Sequence, residues 1–362
     1  MDHTRSSKID HTRSSKIDPL HASLQDISSL MSPFYWVSCC PWLTISRDSN
    51  NEASSHEIGL KSESAIDLVP SSLLRDETLR LSRANSLLTR GFLTLDVTEL
   101  PEVPLGIIEL LKRGVIRLLE LGHTASCISS YDEAWLLASS ISPTVTSISG
   151  NRLKENGDWF SFAKSSRRLN GFNGPHRDKP KSGEETFSSV DGSADYLTVW
   201  IALSDATPSN SCLYFFPRDA PDVGYLETGD SMKPLAFKDF DAVVAQPCTA
   251  GSVVVFTHRV IHWGSRPIAD QETRIAMSFA LASPNFESGA FFSGEKYLPY
   301  PPLPLRISLT AGQAIAYSSQ NPLTKTELAL NTRMFLSNQK MFSKEYTDRI
   351  SGDAQWLKFM RK

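Results

Sequence analysis

The chain has 362 residues, of which 40% are hydrophobic, and a formal net charge of −3 at pH 7. This length and composition allow a large buried core and favour one catalytic domain with added elements over two equal domains. The charge argues against the basic surface that nucleic-acid binding requires, and no apolar stretch reaches the length of a membrane span.

The five cysteines show neither an even-numbered disulfide framework nor the Cys-x-x-Cys spacing of zinc sites. The N-terminal residues Met1-Asp-His-Thr-Arg5 lack the apolar run of a secretory signal. We therefore expect a cytoplasmic protein with reduced thiols. It is expected to act as a monomer or homodimer on a small molecule, without nucleic-acid or membrane partners.

The N-terminal part of the chain differs in composition from the rest. Residues 2–9 are repeated without change as residues 10–17, a polar duplication too short for a solenoid repeat. We predict an N-terminal extension over residues 1–68, with a disordered repeat, and a catalytic domain over residues 69–362. Within the extension, residues 31–45 are rich in aromatics and are expected to pack on that domain, or alternatively to form part of a substrate lid.

Helical patterning is clearest from Leu105 to Gly122, where apolar residues recur at helical spacing and Gly122 can end the helix as a C-cap. The sequence Ser130-Tyr-Asp-Glu133 has the pattern of a capping box, which predicts a helix from there through Ala138. We expect these helices to lie outside the catalytic core.

The periodicity changes at about Thr146, and Asn156-Gly157 is a hairpin signal followed by alternating strand patterns. Helices followed by a run of antiparallel strands predict an α+β fold, with helices that buttress a jelly-roll-like double-stranded β-helix. This cupin-like core is expected at about residues 146–283. The region 284–362 is predicted to be extended through Leu305 and helical again from Leu323.

The most informative motif is His176-Arg-Asp178, the one His-x-Asp sequence in the chain. On a β-strand, residues two apart project from the same face, so the imidazole and the carboxylate can bind one metal ion together. A second histidine must complete such a site. The apolar pattern that starts at Gly251 ends in two candidates, His258 and His262, which we interpret as lying on a single strand.

Two histidines and one carboxylate on a β-scaffold are typical of the facial triad of non-haem Fe(II) oxygenases, which leaves open positions on the metal. Arg274 follows inside another apolar strand, on its smaller and more polar face. An arginine suits a carboxylate ligand there because its planar guanidinium makes two charge-assisted hydrogen bonds. The alternative for Arg274 is a surface ion pair with Glu272.

The segment from about Asn170 to Ala282 resembles the phytanoyl-CoA dioxygenase family of Fe(II)- and 2-oxoglutarate-dependent oxygenases. The resemblance rests on six stretches of sequence: Pro175-His-Arg-Asp178, Leu197 to Asp205, Asn210 to Pro217, Gly251-Ser-Val-Val-Val-Phe256, His262-Trp-Gly-Ser265 and Thr273-Arg274. The chain departs from the family pattern at three places, which are Asn210-Ser211 in place of Asn-Gly, Pro217-Arg-Asp-Ala220 in place of Pro-Gly-Ser-His, and Trp263 between His262 and its glycine.

This resemblance implies that His176, Asp178 and His262 bind Fe(II), and it leaves His258 as a packed residue. It also implies that Arg274, helped by Ser265, binds the distal carboxylate of 2-oxoglutarate. Trp200 is expected to line the pocket of this cosubstrate, and O2 is the oxidant. Family halogenases replace the carboxylate ligand by a small residue, so Asp178 favours oxygenation over halogenation.

The expected reaction is the oxidation of an unactivated C–H bond by hydroxylation, desaturation or oxidative cyclisation. We expect an amino acid or a natural-product intermediate as substrate, since the sequence shows no basic cluster suited to the phosphates of coenzyme A. The alternatives are an acyl-CoA hydroxylase of the same family, or a cupin-like metal enzyme or binding protein that does not use 2-oxoglutarate.

Overall fold

A computed structural model of the chain describes residues 27–46, 76–100, 103–150, 153–165, 174–178, 187, 192–220, 241–268, 271–291, 301–319 and 323–353. Within them, helices and antiparallel sheets form an α+β fold, as predicted. The repeat at residues 2–17 lies outside the described residues.

Helices occupy, in chain order, Ile27–Leu30 (α1), Pro33–Cys39 (α2), Glu77–Arg90 (α3), Leu105–Glu120 (α4), Asp132–Ser149 (α5), Leu303–Ala316 (α6), Lys325–Ser337 (α7) and Lys344–Asp353 (α8). Short 3-10 turns lie at Val97–Glu99, Ala125–Ser130, Tyr317–Ser319 and Gln339–Met341. None of the described helices combines the length and the apolarity that a membrane crossing requires.

Strands occupy Phe92–Leu95 (β1), Lys154–Lys164 (β2), Tyr196–Ala202 (β3), Leu213–Phe216 (β4), Val244–Gln246 (β5), Val253–Thr257 (β6), Ile261–Gly264 (β7) and Arg274–Ala282 (β8). A five-stranded sheet has the order β1-β6-β3-β8-β2, and a three-stranded sheet has the order β5-β4-β7. Neighbouring strands are antiparallel in both sheets.

The helices cover one face of the five-stranded sheet. Trp135 of α5 stacks on Trp159 of β2 with 4.3 Å between ring centroids, and Trp159 stacks in turn on Phe279 of β8. The opposite face packs on the three-stranded sheet, where the rings of Phe92 and Phe215 are 4.2 Å apart. The sheets thus form two layers, and the helices buttress the larger one.

The predicted helix from Leu105 to Gly122 is confirmed as α4, which Gly122 terminates in the expected way. Gly122 has a φ of +86°, a left-handed conformation that glycine adopts without steric cost. The amide of His123 donates to the carbonyl of Leu118 at 2.8 Å, and the amide of Gly122 donates to Leu119 at 3.1 Å. These two bonds form a Schellman motif.

The predicted capping box at Ser130 is wrong. Helix α5 begins at Asp132 after Tyr131, whose side chain makes no capping hydrogen bond. The Glu133 carboxylate instead accepts from the amide of Thr44, at 2.9 and 3.1 Å, so it holds the N-terminal segment rather than its own helix. The helix also continues beyond Ala138, through Pro143, because burial of its apolar face outweighs the hydrogen bond that proline removes.

The aromatic segment 31–45 packs on the helices. Trp36 and Cys40 are buried, and the Tyr131 hydroxyl donates to the carbonyl of Trp36 at 2.8 Å. No residue of this segment lines the cavity described below, so the packing interpretation holds and the lid alternative does not.

The predicted hairpin at Asn156-Gly157 is wrong, since both residues lie inside β2. There the register shifts between Glu155, which pairs with Leu281, and Trp159, which pairs with Phe279. The amide of Asp158 donates to the side-chain oxygen of Asn156 at 3.0 Å, so the turn chemistry of Asn-Gly forms a bulge instead of a chain reversal.

The Pro-rich segment before Leu305 is also more helical than predicted, because α6 begins at Leu303 with a proline in its first turn, where a missing N–H costs nothing. The prediction of helix beyond Leu323 is confirmed over α7 and α8. Residues 146–149 still belong to α5, so the run of strands that follows the helices begins at Lys154, and β1 lies before them at Phe92–Leu95.

We expect Gly157→Ala to destabilise the protein by about 1–3 kcal/mol. Gly157 has a φ of +84°, and an added Cβ would lie 2.3 Å from the Cβ of Ala290. Urea unfolding followed by circular dichroism measures the change. Gly106→Ala is the matched control, because Gly106 lies in α4 with no atom within 4 Å of its Cβ position and should gain about 0.5 kcal/mol. Equal effects of the two substitutions would contradict the bulge.

Candidate active site

The side chains of His176, Asp178 and His262 converge, and one potential ligand atom from each lies within 4.8 Å of the other two. The Oδ1 atom of Asp178 is 3.5 Å from Nε2 of His262 and 3.8 Å from Nε2 of His176. Among the described residues, no second group of three histidine, cysteine or acidic side chains meets this condition.

A local antiparallel pairing of two segments brings these residues together. The amide of His176 donates to the carbonyl of His262 at 3.1 Å, and the amide of His262 donates back to His176 at 3.0 Å. The amide of Asp178 donates to the carbonyl of His258 at 3.1 Å. The backbone therefore fixes the separation of the candidate ligands, although nearly 90 residues lie between them in the sequence.

Hydrogen bonds orient each candidate ligand. Nδ1 of His176 lies 2.9 Å from the carbonyl of Gly174, and Nδ1 of His262 lies 3.1 Å from the carbonyl of Val260. A proton on each Nδ1 leaves the lone pair of Nε2 free. A metal ion binds a histidine through such a free lone pair. The Thr198 hydroxyl donates to Oδ2 of Asp178, so Oδ1 remains directed toward the histidines.

Burial keeps the His262 ring neutral. It lowers the pKa of His262 to about 4, and this effect exceeds the opposing attraction of Asp178. The three side chains offer two imidazole nitrogens and one carboxylate oxygen, which is the donor set of a 2-His-1-carboxylate Fe(II) site. By donor type and spacing, the residues fit the predicted metal.

The interpretation that His258 and His262 share one strand is wrong. Strand β6 ends at Thr257 in the larger sheet, whereas β7 begins at Ile261 in the smaller sheet, with a turn between them. His258 lies in this turn, fully buried, with its ring 4.8 Å from that of Phe286. The sequence does not reveal this turn, because the buried strands before and after it have similar apolar patterns.

The candidate ligands line a cavity of about 740 Å³, including its opening to solvent. Its lining contains all three predicted metal ligands, the predicted cosubstrate residues Arg274 and Trp200, and several aromatic side chains.

Arg274 is 2% exposed, and its guanidinium carbon lies 5.3 Å from the centre of the Trp200 ring. Within the described part of the chain, its Nε and Nη1 atoms have no hydrogen-bond partner. Burial lowers the pKa of Arg274 to about 10, so the group still carries its charge at neutral pH. A buried, charged guanidinium that leaves these two nitrogens without a described partner fits a carboxylate ligand better than the alternative of a surface ion pair.

Lys164 is a second cation in the cavity, which the sequence interpretation missed. It pairs with Arg274 in the register of β2 and β8, and it lines the same cavity. Burial, followed by the charge of Arg274, lowers the pKa of Lys164 to about 8. In the sequence, Lys164 could be noticed only as the last residue of a strand with alternating aromatic side chains. Its proximity to Arg274 follows from the pairing of the two strands and is not visible in the sequence.

The structure does not bring Ser265 to this site. Ser265 is absent from the cavity lining, and its hydroxyl lies 3.5 Å from the carbonyl of Pro208. Ser211 lies nearer, because its buried Oγ is the closest atom to the Cβ position of Gly264, at 3.1 Å. Ser211 also has a φ of +82°, the conformation for which the glycine of the related turn is suited.

Asp158, another residue that the sequence interpretation missed, lines a different part of the cavity. Its Oδ1 accepts from the Tyr317 hydroxyl at 2.8 Å and from Nε2 of Gln313 at 2.5 Å, and its Oδ2 accepts from the Tyr196 hydroxyl at 2.9 Å. The acid follows the bulge in β2, so the misread Asn156-Gly157 signal is also the reason that it was missed.

Comparison with known proteins agrees with the site. The model of the phytanoyl-CoA dioxygenase (PhyH) family matches residues 134–276, a range that contains the three candidate metal ligands and Arg274. Residues 134–276 are therefore similar to the phytanoyl-CoA dioxygenase family. The predicted resemblance is thereby confirmed, and with it the prediction of a non-haem iron, 2-oxoglutarate-dependent oxygenase. No curated protein matches the chain.

Several solved structures are similar to this chain at low identity. The α-ketoglutarate-dependent epimerase SnoN from nogalamycin biosynthesis is 18% identical over 57% of this chain and 82% of its own, with a TM-score of 0.39. AviO1 from Streptomyces viridochromogenes Tue57 is 20% identical over 57% and 95%, with a TM-score of 0.42. HygX from Streptomyces hygroscopicus, with nickel and 2-oxoglutarate bound, is 17% identical over 56% and 86%, with a TM-score of 0.40.

We expect Thr198→Val to weaken Fe(II) binding by about 10- to 100-fold, because it removes the hydrogen bond that orients Asp178. Anaerobic titration with Fe(II) measures the affinity. Thr198→Ser, which keeps the hydroxyl, is the control and should bind nearly as the unsubstituted protein does. Unchanged affinity in the valine variant would show that Asp178 does not depend on this contact.

The two neighbouring histidines should differ in their effect on metal binding. We expect His262→Ala to abolish stoichiometric Fe(II) binding, whereas His258→Ala should retain the metal and lose activity only in part, through packing against Tyr196 and Phe286. Bound iron and succinate formation are measured for both variants, with circular dichroism as the test of folding. Loss of iron in the His258 variant with binding preserved in the His262 variant would reverse the assignment.

Proposed function

We propose that the cavity is the active site of an Fe(II)- and 2-oxoglutarate-dependent oxygenase in which His176, Asp178 and His262 bind the metal. The observation that carries this proposal is that two imidazoles and a carboxylate converge in the same cavity as a buried guanidinium, whose Nε and Nη1 have no hydrogen-bond partner among the described residues. The resemblance of residues 134–276 to the oxygenase family supports the same assignment.

Arg274 is proposed to anchor the distal carboxylate of 2-oxoglutarate by a charge-assisted, two-pronged contact. The face of Trp200 limits the movement of its guanidinium, and Lys164 adds a second positive charge beside it. Because Arg274 is buried and Lys164 is half-buried, water competes for the carboxylate less than it would at the protein surface. Ser265 has no part in this proposal, since it lies outside the cavity lining.

Iron with 2-oxoglutarate and O2 supplies the oxidising power to convert an R–H bond to R–OH, with release of succinate and CO2. The residues of the chain bind and orient the reactants. Asp178 would supply the carboxylate ligand of the metal, which the halogenases of the family lack, so its presence favours oxygenation. The aromatic lining, which includes Phe160, Phe162 and Phe256, excludes water from the reacting centre. Hydroxylation, desaturation and oxidative cyclisation of a small biosynthetic molecule all fit this arrangement.

We also propose that the two antiparallel sheets are the halves of a double-stranded β-helix, with all strands except β1 lying within residues 146–283 and a helical region over residues 284–362. The supporting observation is that the sheets pack face to face, with the candidate ligands between them. The catalytic domain at residues 69–362, the extension at residues 1–68, the cytoplasmic location and the monomeric or dimeric state remain predictions.

The test of the cosubstrate site is Arg274→Ala, which we expect to weaken 2-oxoglutarate binding by about 2–5 kcal/mol, the range for loss of one partner of a buried charge pair. Binding is measured anaerobically from the metal-to-ligand charge-transfer absorption of the Fe(II) complex. Arg274→Lys should recover only part of the affinity, because an ammonium group cannot reproduce the planar contact.

Unchanged 2-oxoglutarate affinity in the alanine variant would show that Arg274 does not bind the cosubstrate.

The reaction class has its own test. Turnover that persists with Zn(II) in place of Fe(II), or in the absence of O2 and 2-oxoglutarate, would contradict an oxygenase.

A further inference from the structure

One face of the five-stranded sheet forms part of the cavity wall, and its side chains differ in size from strand to strand. On this face β8 carries Ser278 and Ala280, two small residues that line the cavity. Strands β2 and β3 lie on the two sides of β8. Because neighbouring strands are about 5 Å apart, the backbones of β2 and β3 enclose a trough about 10 Å wide, with Ser278 and Ala280 as its floor.

The β2 side of this trough is aromatic. Phe160 and Phe162 are two residues apart on the strand, so they project from the same face, and their ring centroids are 4.6 Å apart. Tyr317, from the turn after α6, continues the row, with its ring centroid 4.6 Å from that of Phe160. All three rings are half-buried and line the cavity. They therefore present aromatic surface to a molecule in the trough.

The β3 side of the trough carries the candidate metal centre. Thr198 of β3 pairs with Ala280, and its hydroxyl donates to Asp178. Phe160 of β2 pairs with Ser278, two residues from Ala280 along β8. A molecule that rests on Ser278 and Ala280 therefore has the aromatic row on one side and the metal ligands on the other.

The proposed cosubstrate site lies at a different end of the cavity. Lys164 and Arg274, the proposed site of the distal carboxylate of 2-oxoglutarate, pair with each other where β2 ends and β8 begins. Phe160 is four residues from Lys164, or about 13 Å along an extended strand. The cavity of about 740 Å³, including its opening, falls in the size range of sites for drug-sized ligands. The part beside Phe160 and Tyr317 thus remains for the substrate.

The hydroxyl groups beside the aromatic row bond within the fold. The Tyr317 hydroxyl donates to Asp158 at 2.8 Å, and the Ser278 hydroxyl donates to the carbonyl of Phe160 at 3.2 Å. The ring surfaces are therefore the main contact that this part of the trough offers. Aromatic rings attract one another in offset and edge-to-face arrangements beyond the effect of buried area, which saturated rings and alkyl chains do not reproduce.

We propose that the substrate carries a flat unsaturated ring, aromatic or conjugated, that lies in the trough against Phe160 and Tyr317. The inference rests on the proposed oxygenase function and specifies its substrate class. The small side chains of Ser278 and Ala280 leave the space that the ring occupies. The edge of the ring away from the aromatic row, with its substituents, is directed toward the metal ligands. A linear acyl chain gains no ring contact in this trough.

The test uses probe molecules that differ in the flatness of one ring system. The pairs are 2-naphthol with decahydro-2-naphthol and L-phenylalanine with L-cyclohexylalanine, and octanoate is the linear probe. Binding to the protein loaded with Fe(II) and 2-oxoglutarate is measured by anaerobic equilibrium dialysis. We expect the flat member of at least one pair to bind about 10-fold more tightly than its saturated partner, as two ring contacts would provide. Octanoate should bind no better than the saturated compounds.

Phe160→Leu keeps an apolar side chain but removes the ring, so the preference for the flat probe should fall to about 3-fold or less. Phe291→Leu is the matched control, because Phe291 is also half-buried, stacks on Phe342 and lies outside the cavity lining. It should keep the full preference. Tyr317→Phe should keep it as well, since it removes the hydroxyl and retains the ring. The thermal midpoint of unfolding is recorded for each variant, and Phe160→Ile replaces the leucine variant if that variant does not fold.

Three results would overturn the inference: equal binding of flat and saturated partners in both pairs, no binding of either flat probe at about 1 mM, or a preference that survives without the Phe160 ring. A merely structural role of Phe160 gives the last of these, because it weakens both partners equally. The metal-to-ligand charge-transfer absorption is recorded in parallel. Its absence in the unsubstituted protein would contradict the oxygenase itself, whereas its presence with any of the three results would contradict only the flat-ring substrate.

Discussion

The mutual backbone hydrogen bonds between His176 and His262 are the contact on which the candidate metal centre depends. They join two segments that are distant in sequence and set their histidines side by side, with ring centroids 4.4 Å apart. The bond from Asp178 to the carbonyl of His258 extends the same pairing by two residues. The backbone hydrogen bonds thus position the side chains that would bind a metal, and contacts between the rings are not needed for this.

The turn from β6 to β7 makes that pairing possible. It moves the chain from the larger sheet to the smaller one, and the carbonyls of His258 and His262 at its two ends accept from the ligand segment. His258 itself fills the interior beside Phe286, where an imidazole packs among aromatic rings. A single turn therefore separates a histidine that packs from a histidine that faces the cavity.

Charge is distributed unevenly around the cavity. Arg274 and Lys164 face each other at one end, and Asp158 lies six residues away along the same strand as Lys164. In a low-dielectric interior such separated charges interact strongly with ligands of opposite sign.

The sequence alone determined what depends on local pattern and residue chemistry. The helix from Leu105, the α+β class, the His-x-Asp motif and the strand that carries Arg274 could all be predicted, since periodicity and donor type are visible in the chain. Only the tertiary structure decided the rest. The Asn156-Gly157 bulge, the turn at His258 and the pairing of Lys164 with Arg274 arise from contacts between distant strands, which local turn and strand signals do not encode. Asp158 became visible for the same reason, because its partners come from three elements that only the folded chain brings together.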